Sequence, residues 1–130
     1  DKEFYLHAKC HATESGKKNY IGHNRTNGSG CEPIKSSFSW AECCYYGNND
    51  PLSIVIDLLI DCNYPGLGHR KIMLSDDFKY MGVYISTHKS FKFNAVLDFR
   101  GEWLHHMHQL QPPLPLHSLL DVDELLLTSH

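Results

Sequence analysis

Two hydrophobic periods divide the chain. Between Lys2 and Ser15, the residues Phe4, His7, Ala8, His11 and Ala12 fall on one helical face, which predicts a helix over 2–15 stopped by Gly16. From Gly16 to Gly30 the chain is polar and rich in Gly and Asn, the composition of a loop. Cys31 to Ser39 is Pro-interrupted and Ser-rich, hence extended or irregular, with Phe38 and Trp40 expected to turn inward. Trp40 to Tyr46 is aromatic and Cys-rich and reads as a short strand ending at Gly47.

Asp50-Pro51 starts a second helix: Asp accepts the free amides of the first turn, and Pro fits the first helical position, where no donor is needed. In Leu52 to Cys62 the polar residues Ser53, Asp57 and Asp61 form one stripe and aliphatic residues cover the rest, which predicts a helix packed on more than one side. Asn63 to Gly68 is a turn, and His69 to Leu74 a further short helical turn. Met81 to Ser86 and Phe91 to Phe99 then form a hairpin through Thr87 to Ser90. In its second strand Phe91, Phe93, Ala95, Leu97 and Phe99 alternate with Lys92, Asn94 and Asp98, interrupted by Val96. One face should be buried and the other at least partly wet. Beyond a His-rich stretch from Gly101 to Gln111, Pro112 to Pro115 is a stiff spacer, and Leu116 to Leu127 is an apolar arm with acidic punctuation. Such an arm needs a cover, from its own domain or a neighbouring chain.

Composition narrows the class. A chain of 130 residues, 42% hydrophobic and 21% charged, is one globular domain. Its net charge of -3, with scattered Lys and Arg, argues against a nucleic-acid partner. The longest apolar run, inside Leu52 to Ile60, is about half the ~20 residues of a membrane span, so none is expected. The arm carries acids without bases, the wrong charge for anionic lipid.

Five cysteines, at 10, 31, 43, 44 and 62, have neither CxxC nor zinc-finger spacing and are disulfide candidates. The odd count leaves at least one thiol free or paired with another chain. Cys43 and Cys44 are too strained to bond each other, so burial or separate disulfides are expected. Asn24-Arg25-Thr26 and Asn27-Gly28-Ser29 are glycosylation signals in the predicted loop. Together these point to an extracellular, secreted protein, and the start at Asp1 reads as a mature or trimmed product.

The succession GHN, NGS, WAECCYYG, LLIDCNYPGLGHRKIML, MGVYISTH and AVLDF resembles the CAP superfamily (cysteine-rich secretory, antigen 5 and pathogenesis-related proteins), nearest its short SCP-like branch. The likeness covers about positions 5 to 99, dividing the chain into a CAP-like domain over 1–100 and an extension over 101–130. It implies an α+β fold: an α/β/α sandwich with a central, mainly antiparallel sheet. It also implies a cleft in which His23, Glu42 and His69 match family residues that bind a divalent metal in some members. The second family glutamate has no counterpart, and neither Asp57 nor Asp61 is assigned by a motif. Cys43-Cys44 stands where the family has Asn-Ile. A family helix expected ahead of Phe4 does not occur here, so trimming or another segment must account for that face.

Imidazole and carboxylate suit zinc or a similar ion, and three ligands would leave one position open. With a fourth ligand missing, a metal-free polar cluster weighs more than an occupied site. Arg70 and Lys71 read as a helix-end cap or a solvent-facing pair, and His105, His106 and His108 as wet surface. No Ser or Cys has an evident base and orienter. The leading reading is a secreted, non-catalytic CAP-type binding domain. Its small ligand is unidentified, and a protein partner or self-association is expected through the tail. The alternatives are a structural subunit of an extracellular assembly and a metal-dependent hydrolase.

Overall fold

The computed structural model describes residues 1–25 and 30–103, for Trp103 the backbone alone. Helix α1 (Lys2–Lys18) opens on Asp1, whose side chain accepts from the Phe4 amide, and closes on Asn19 in the left-handed conformation. It outruns the predicted stop at Gly16, because that glycine serves packing: a Cβ there would collide with the Thr87 carbonyl of the sheet. Strands β1 (Phe38–Tyr46), β2 (Phe78–His88) and β3 (Lys92–Trp103) make one antiparallel sheet in the order β1-β3-β2. The hairpin turn falls at residues 89–91, later than predicted, and Lys92 takes the left-handed conformation there. Strand β3 also carries the sheet three residues past the expected boundary at residue 100.

Helices α2 (Pro51–Ile60) and α3 (Gly68–Met73) lie on the face opposite α1. Because side chains alternate along a strand, β3 feeds both layers. Ala95, Leu97 and Phe99 join Cys43, Ile54 and Leu58 in one core, and Val96 joins Ala8 and Ala12 in the other. The result is the helix–sheet–helix sandwich that the sequence predicts. Close approach on the α1 side rests on Gly82, where a Cβ would meet the backbone of Phe4 and Tyr5.

Three expectations are corrected. The second face of β3 is buried, not wet: Asn94 and Asp98 lie under α1, and Asn94 Nδ2 donates to the Ala12 carbonyl and to Ser15 Oγ. Polar residues on that face answer a helix's polar atoms instead of water. Trp40 does not turn inward but is 42% exposed, while Phe38 is half-buried with its ring centre 4.2 Å from the Arg100 guanidinium, which also covers Tyr80. Finally, among the described residues α2 packs chiefly through one side: Ile54 and Leu58 are buried, whereas Leu52, Val55, Ile56 and Ile60 are exposed.

Of the five disulfide candidates, Cys10 and Cys31 are joined, tying α1 to the segment before β1. Cys43, Cys44 and Cys62 carry free thiols. As strand neighbours, Cys43 and Cys44 point to opposite faces and cannot reach each other. The extension expected over 101–130, with its Pro-rich spacer, apolar arm and His105, His106 and His108, lies outside the described residues from 104 onward, as does Asn27. No helix among the described residues is long and apolar enough to cross a membrane.

Candidate functional site

The site begins where α1 ends. Asn19 turns the chain back over the sheet, and His11 Nε2 donates to the Gly22 carbonyl at 2.9 Å while the Gly22 amide donates to the Tyr46 hydroxyl at 2.8 Å. These bonds fix the short loop carrying His23 and Arg25 against β1. Glu42, buried at 7% exposure, receives both: His23 Nδ1 donates to Oε1 at 2.9 Å, and Arg25 grips the carboxylate with Nη1 at 3.1 Å and Nη2 at 2.8 Å. Burial alone would raise Glu42, but the hydrogen bonds from His23 and Arg25 outweigh it and hold the carboxyl well below the usual range. The bond to Glu42 in turn raises His23.

Beneath this pair lies Asp98 of β3, opposite Glu42 in register and fully buried. Among the described residues, neither of its oxygens meets an N–H or hydroxyl donor. Burial, and then Glu42 beside it, push Asp98 far up, so it keeps its proton at neutral pH and its own hydroxyl faces Glu42. The cluster is thus one carboxylate and one carboxylic acid. Burial pushes His11 down, and it stays neutral.

The other histidine is held separately. Helix α2 stops at Asp61, whose left-handed backbone turns its carboxylate towards α3. His69 Nδ1 donates to Asp61 Oδ1 at 2.9 Å, and the His69 amide donates to Oδ2 at 2.9 Å. Arg70 does what a helix-end cap does: Nε donates to the Leu59 carbonyl and Nη2 to that of Ile60 at 2.6 Å. A cleft of about 620 Å³ separates the two sides. His23, Cys44, Tyr45, Tyr46 and Phe91 line one wall, and Asp57, Ile60, Tyr64 and His69 the other.

A family model for the CAP (cysteine-rich secretory protein) family matches residues 1–99. The chain belongs to the CAP family. No curated protein and no solved structure matches it.

Of the residues singled out in the sequence, His23 and Glu42 touch, and His69 reaches the same CAP cleft from the opposite wall through Asp61. Sequence reasoning missed Arg25, Asp98 and His11. The usable signal was the polar side of β3: Asn94 and Asp98 at alternate positions need polar partners if a helix covers them.

The described residues also bring His11, Glu42 and Cys44 together, with one candidate ligand atom from each within 4.8 Å of the others. They do not fit a metal. The Gly22 carbonyl can only accept, so His11 Nε2 carries the proton and has no lone pair to offer. Glu42 is filled by Arg25 and His23, and burial raises the Cys44 thiol far above neutral pH. Nor is Cys44 an activated nucleophile. It approaches His23 at Nδ1, 3.6 Å away, the same nitrogen that donates its proton to Glu42.

The cleft histidines differ from that cluster. A carboxylate only accepts, so Glu42 and Asp61 each fix their histidine as the Nδ1–H form when it is neutral, leaving the lone pair on Nε2. An imidazole lone pair of this kind is a donor that a divalent ion takes.

Proposed function

We propose that this chain is an exported, non-catalytic CAP-type binding domain that takes its ligand in the cleft between β1 and α2–α3. A divalent metal such as zinc is held there by His23 and His69. The observation that carries this reading is the pair of buried carboxylates, Glu42 and Asp61, each bonded to the Nδ1 of one cleft histidine. Metal-binding histidines are oriented by partners of this kind. When bound, the ion would supply a Lewis-acidic anchor with open positions for a ligand's oxygen or anionic group.

The rest is done by the chain itself. Arg25 neutralises Glu42 and keeps it from leaving His23. Tyr45, whose hydroxyl donates to Asp57 Oδ2 at 2.7 Å, shapes the wall with Tyr46, Tyr64 and Phe91, rings suited to the flat apolar faces of a ligand. A hydrolase would want a free carboxylate as general base, and Glu42 and Asp61 are both occupied. That favours binding over catalysis. Export is supported by CAP membership and the Cys10–Cys31 disulfide, and a glycan is proposed at the exposed Asn24.

Zinc calorimetry on the full chain tests the proposal. We expect one site that weakens by at least about tenfold in His23→Ala and in His69→Ala, as removal of a ligand should exceed the ~10–100-fold effect of removing its support. His7→Ala on α1 should leave it unchanged. No binding, or binding indifferent to both cleft variants, would overturn the proposal.

A further inference from the structure

Strand β1 leaves a tryptophan in solvent. Trp40 is 42% exposed and stands two residues before Glu42, so the two side chains project from the same face of the strand. Over that face the returning loop is pinned. His23 and Arg25 both bond to the Glu42 carboxylate, so the exposed Asn24 between them is held at both of its neighbours. Asn24 and Trp40 line one pocket of about 380 Å³, together with Arg25, Pro33 and Ile34. That is the small end of the ~300–1,000 Å³ range of ligand pockets, room for a ring-sized group and little more.

The chain itself supplies the group. Asn24-Arg25-Thr26 is an acceptor signal for an Asn-linked glycan, with Asn24 as its point of attachment. The first sugar of such a glycan on a eukaryotic secretory route is N-acetylglucosamine. One face of its ring presents C–H bonds made positive by the neighbouring oxygens, the complement of the negative face of an indole. Bare, Trp40 keeps apolar surface in water; a sugar laid on it removes that surface. Exposed tryptophan and glycan signal are independent observations, one from the fold and one from the sequence, and they meet in the same pocket.

We infer that Asn24 carries a glycan whose first N-acetylglucosamine seats in this pocket with its C–H face on the Trp40 indole, so that the sugar is part of the packing that holds the His23 loop on β1. The inference rests on the exported setting proposed above. The donor is a lipid-diphosphate-linked oligosaccharide. Asn24 Nδ2 bonds to its anomeric carbon, the bond from that carbon to the diphosphate oxygen breaks, and the lipid diphosphate leaves as the amide gives up one proton.

The test secretes the full-length chain from a glycosylating eukaryotic host on the host's own signal. An Asn27→Gln, Trp103→Phe background makes Asn24 the sole acceptor signal and Trp40 the sole tryptophan. An endoglycosidase trims the glycan to its first sugar, and Asn24→Gln serves as the bare form. We expect mass spectrometry to find one N-acetylglucosamine on Asn24. Acrylamide should then quench Trp40 fluorescence about twofold less than in Asn24→Gln, because one of the two indole faces is covered. The unfolding equilibrium constant in urea should be at least about threefold smaller with the sugar, the size of a single aromatic contact, and Trp40→Ala should abolish that difference. Quenching needs no change at Trp40, so it decides the matter if Trp40→Ala does not fold. An unmodified Asn24, a sugar that leaves quenching unchanged, or a stabilisation that persists in Trp40→Ala overturns the inference. Because the host's signal supplies export, these failures belong to the glycan contact and not to the exported setting, and zinc calorimetry on Asn24→Gln tests the cleft separately.

Discussion

Replacing Asp98 with Asn should stabilise this protein at neutral pH. Asp98 is fully buried beside Glu42 and is held far above the ordinary carboxyl range, first by burial and then by the Glu42 charge. The unfolded chain gives up that proton near pH 3.9 and the folded chain keeps it, so folding takes up a proton at neutral pH. A raised folded-state pKa contributes stability that is fully present below the unfolded value and is lost as pH rises towards the folded one. Between those limits the wild type loses about 1.4 kcal/mol per pH unit at this residue. Asn has the shape of the protonated acid, and its amide can donate to Glu42 as the carboxyl hydroxyl does, without a proton to take up.

The gap between Asp98→Asn and wild type should therefore widen in favour of the variant by about 1.4 kcal/mol per pH unit, or about 2.7 kcal/mol from pH 5 to pH 7. Urea unfolding followed by circular dichroism at pH 5, 6 and 7, at fixed ionic strength and with the disulfide intact, measures it directly. Other titrating groups are common to both proteins and cancel in the difference. Two unfolding curves that stay parallel across this range would mean that Asp98 is ionised in the fold, and the description of the Glu42 cluster would be wrong.

Other perturbations probe the neighbouring parts. Arg25→Met leaves the buried Glu42 carboxylate without its guanidinium partner and should cost about 3 kcal/mol, most of it recovered when Glu42→Gln is added; a double-mutant cycle in urea reads the coupling. Gly82→Ala drives a methyl group into the α1 backbone and should cost at least about 3 kcal/mol, seen as a lower urea midpoint, whereas Gly30→Ala, which meets nothing, should be near neutral. Replacing Cys10 and Cys31 with Ser opens a loop of sequence separation 21 and should cost about 3 kcal/mol by the chain-entropy argument, read from the same midpoints.

The sequence carried the architecture further than the chemistry, for reasons visible in single residues. Helix starts are local, so Asp50-Pro51 announced α2 without any knowledge of what it packs against, and its observed cap bond to the Ser53 amide follows directly. Alternation on β3 likewise announced a strand. What covers each face is not local. Asn94 and Asp98 look solvent-facing until α1 is laid over them, and the aliphatic ring of α2 looks like core until only Ile54 and Leu58 find the sheet. Gly16 shows the same ambiguity in reverse: a residue that often ends a helix here lets the helix continue against Thr87.

The site was legible in its histidines and in Glu42, because the CAP resemblance marks them, but not in what holds them. Arg25 sits in a stretch whose composition reads only as loop, and its grip on Glu42 depends on the loop returning across β1 after Asn19. Asp61 was one of two unassigned acids on a helix. Its role came from the left-handed turn at that residue, which lets one carboxylate bond both the ring and the amide of His69. Side-chain partners eight or more residues apart are set by backbone geometry that no residue-type pattern encodes.

The central claim is that two carboxylates fix two cleft histidines so that each offers Nε2 to an ion. Long-range ¹H–¹⁵N correlation of the imidazole rings, recorded above neutral pH before and after one equivalent of zinc, tests it most directly. The account predicts that His23 and His69 are both Nδ1–H tautomers and that their Nε2 resonances move with zinc while those of His7 stay in place. An Nε2–H tautomer at either residue, or Nε2 resonances that zinc leaves unmoved, would contradict it.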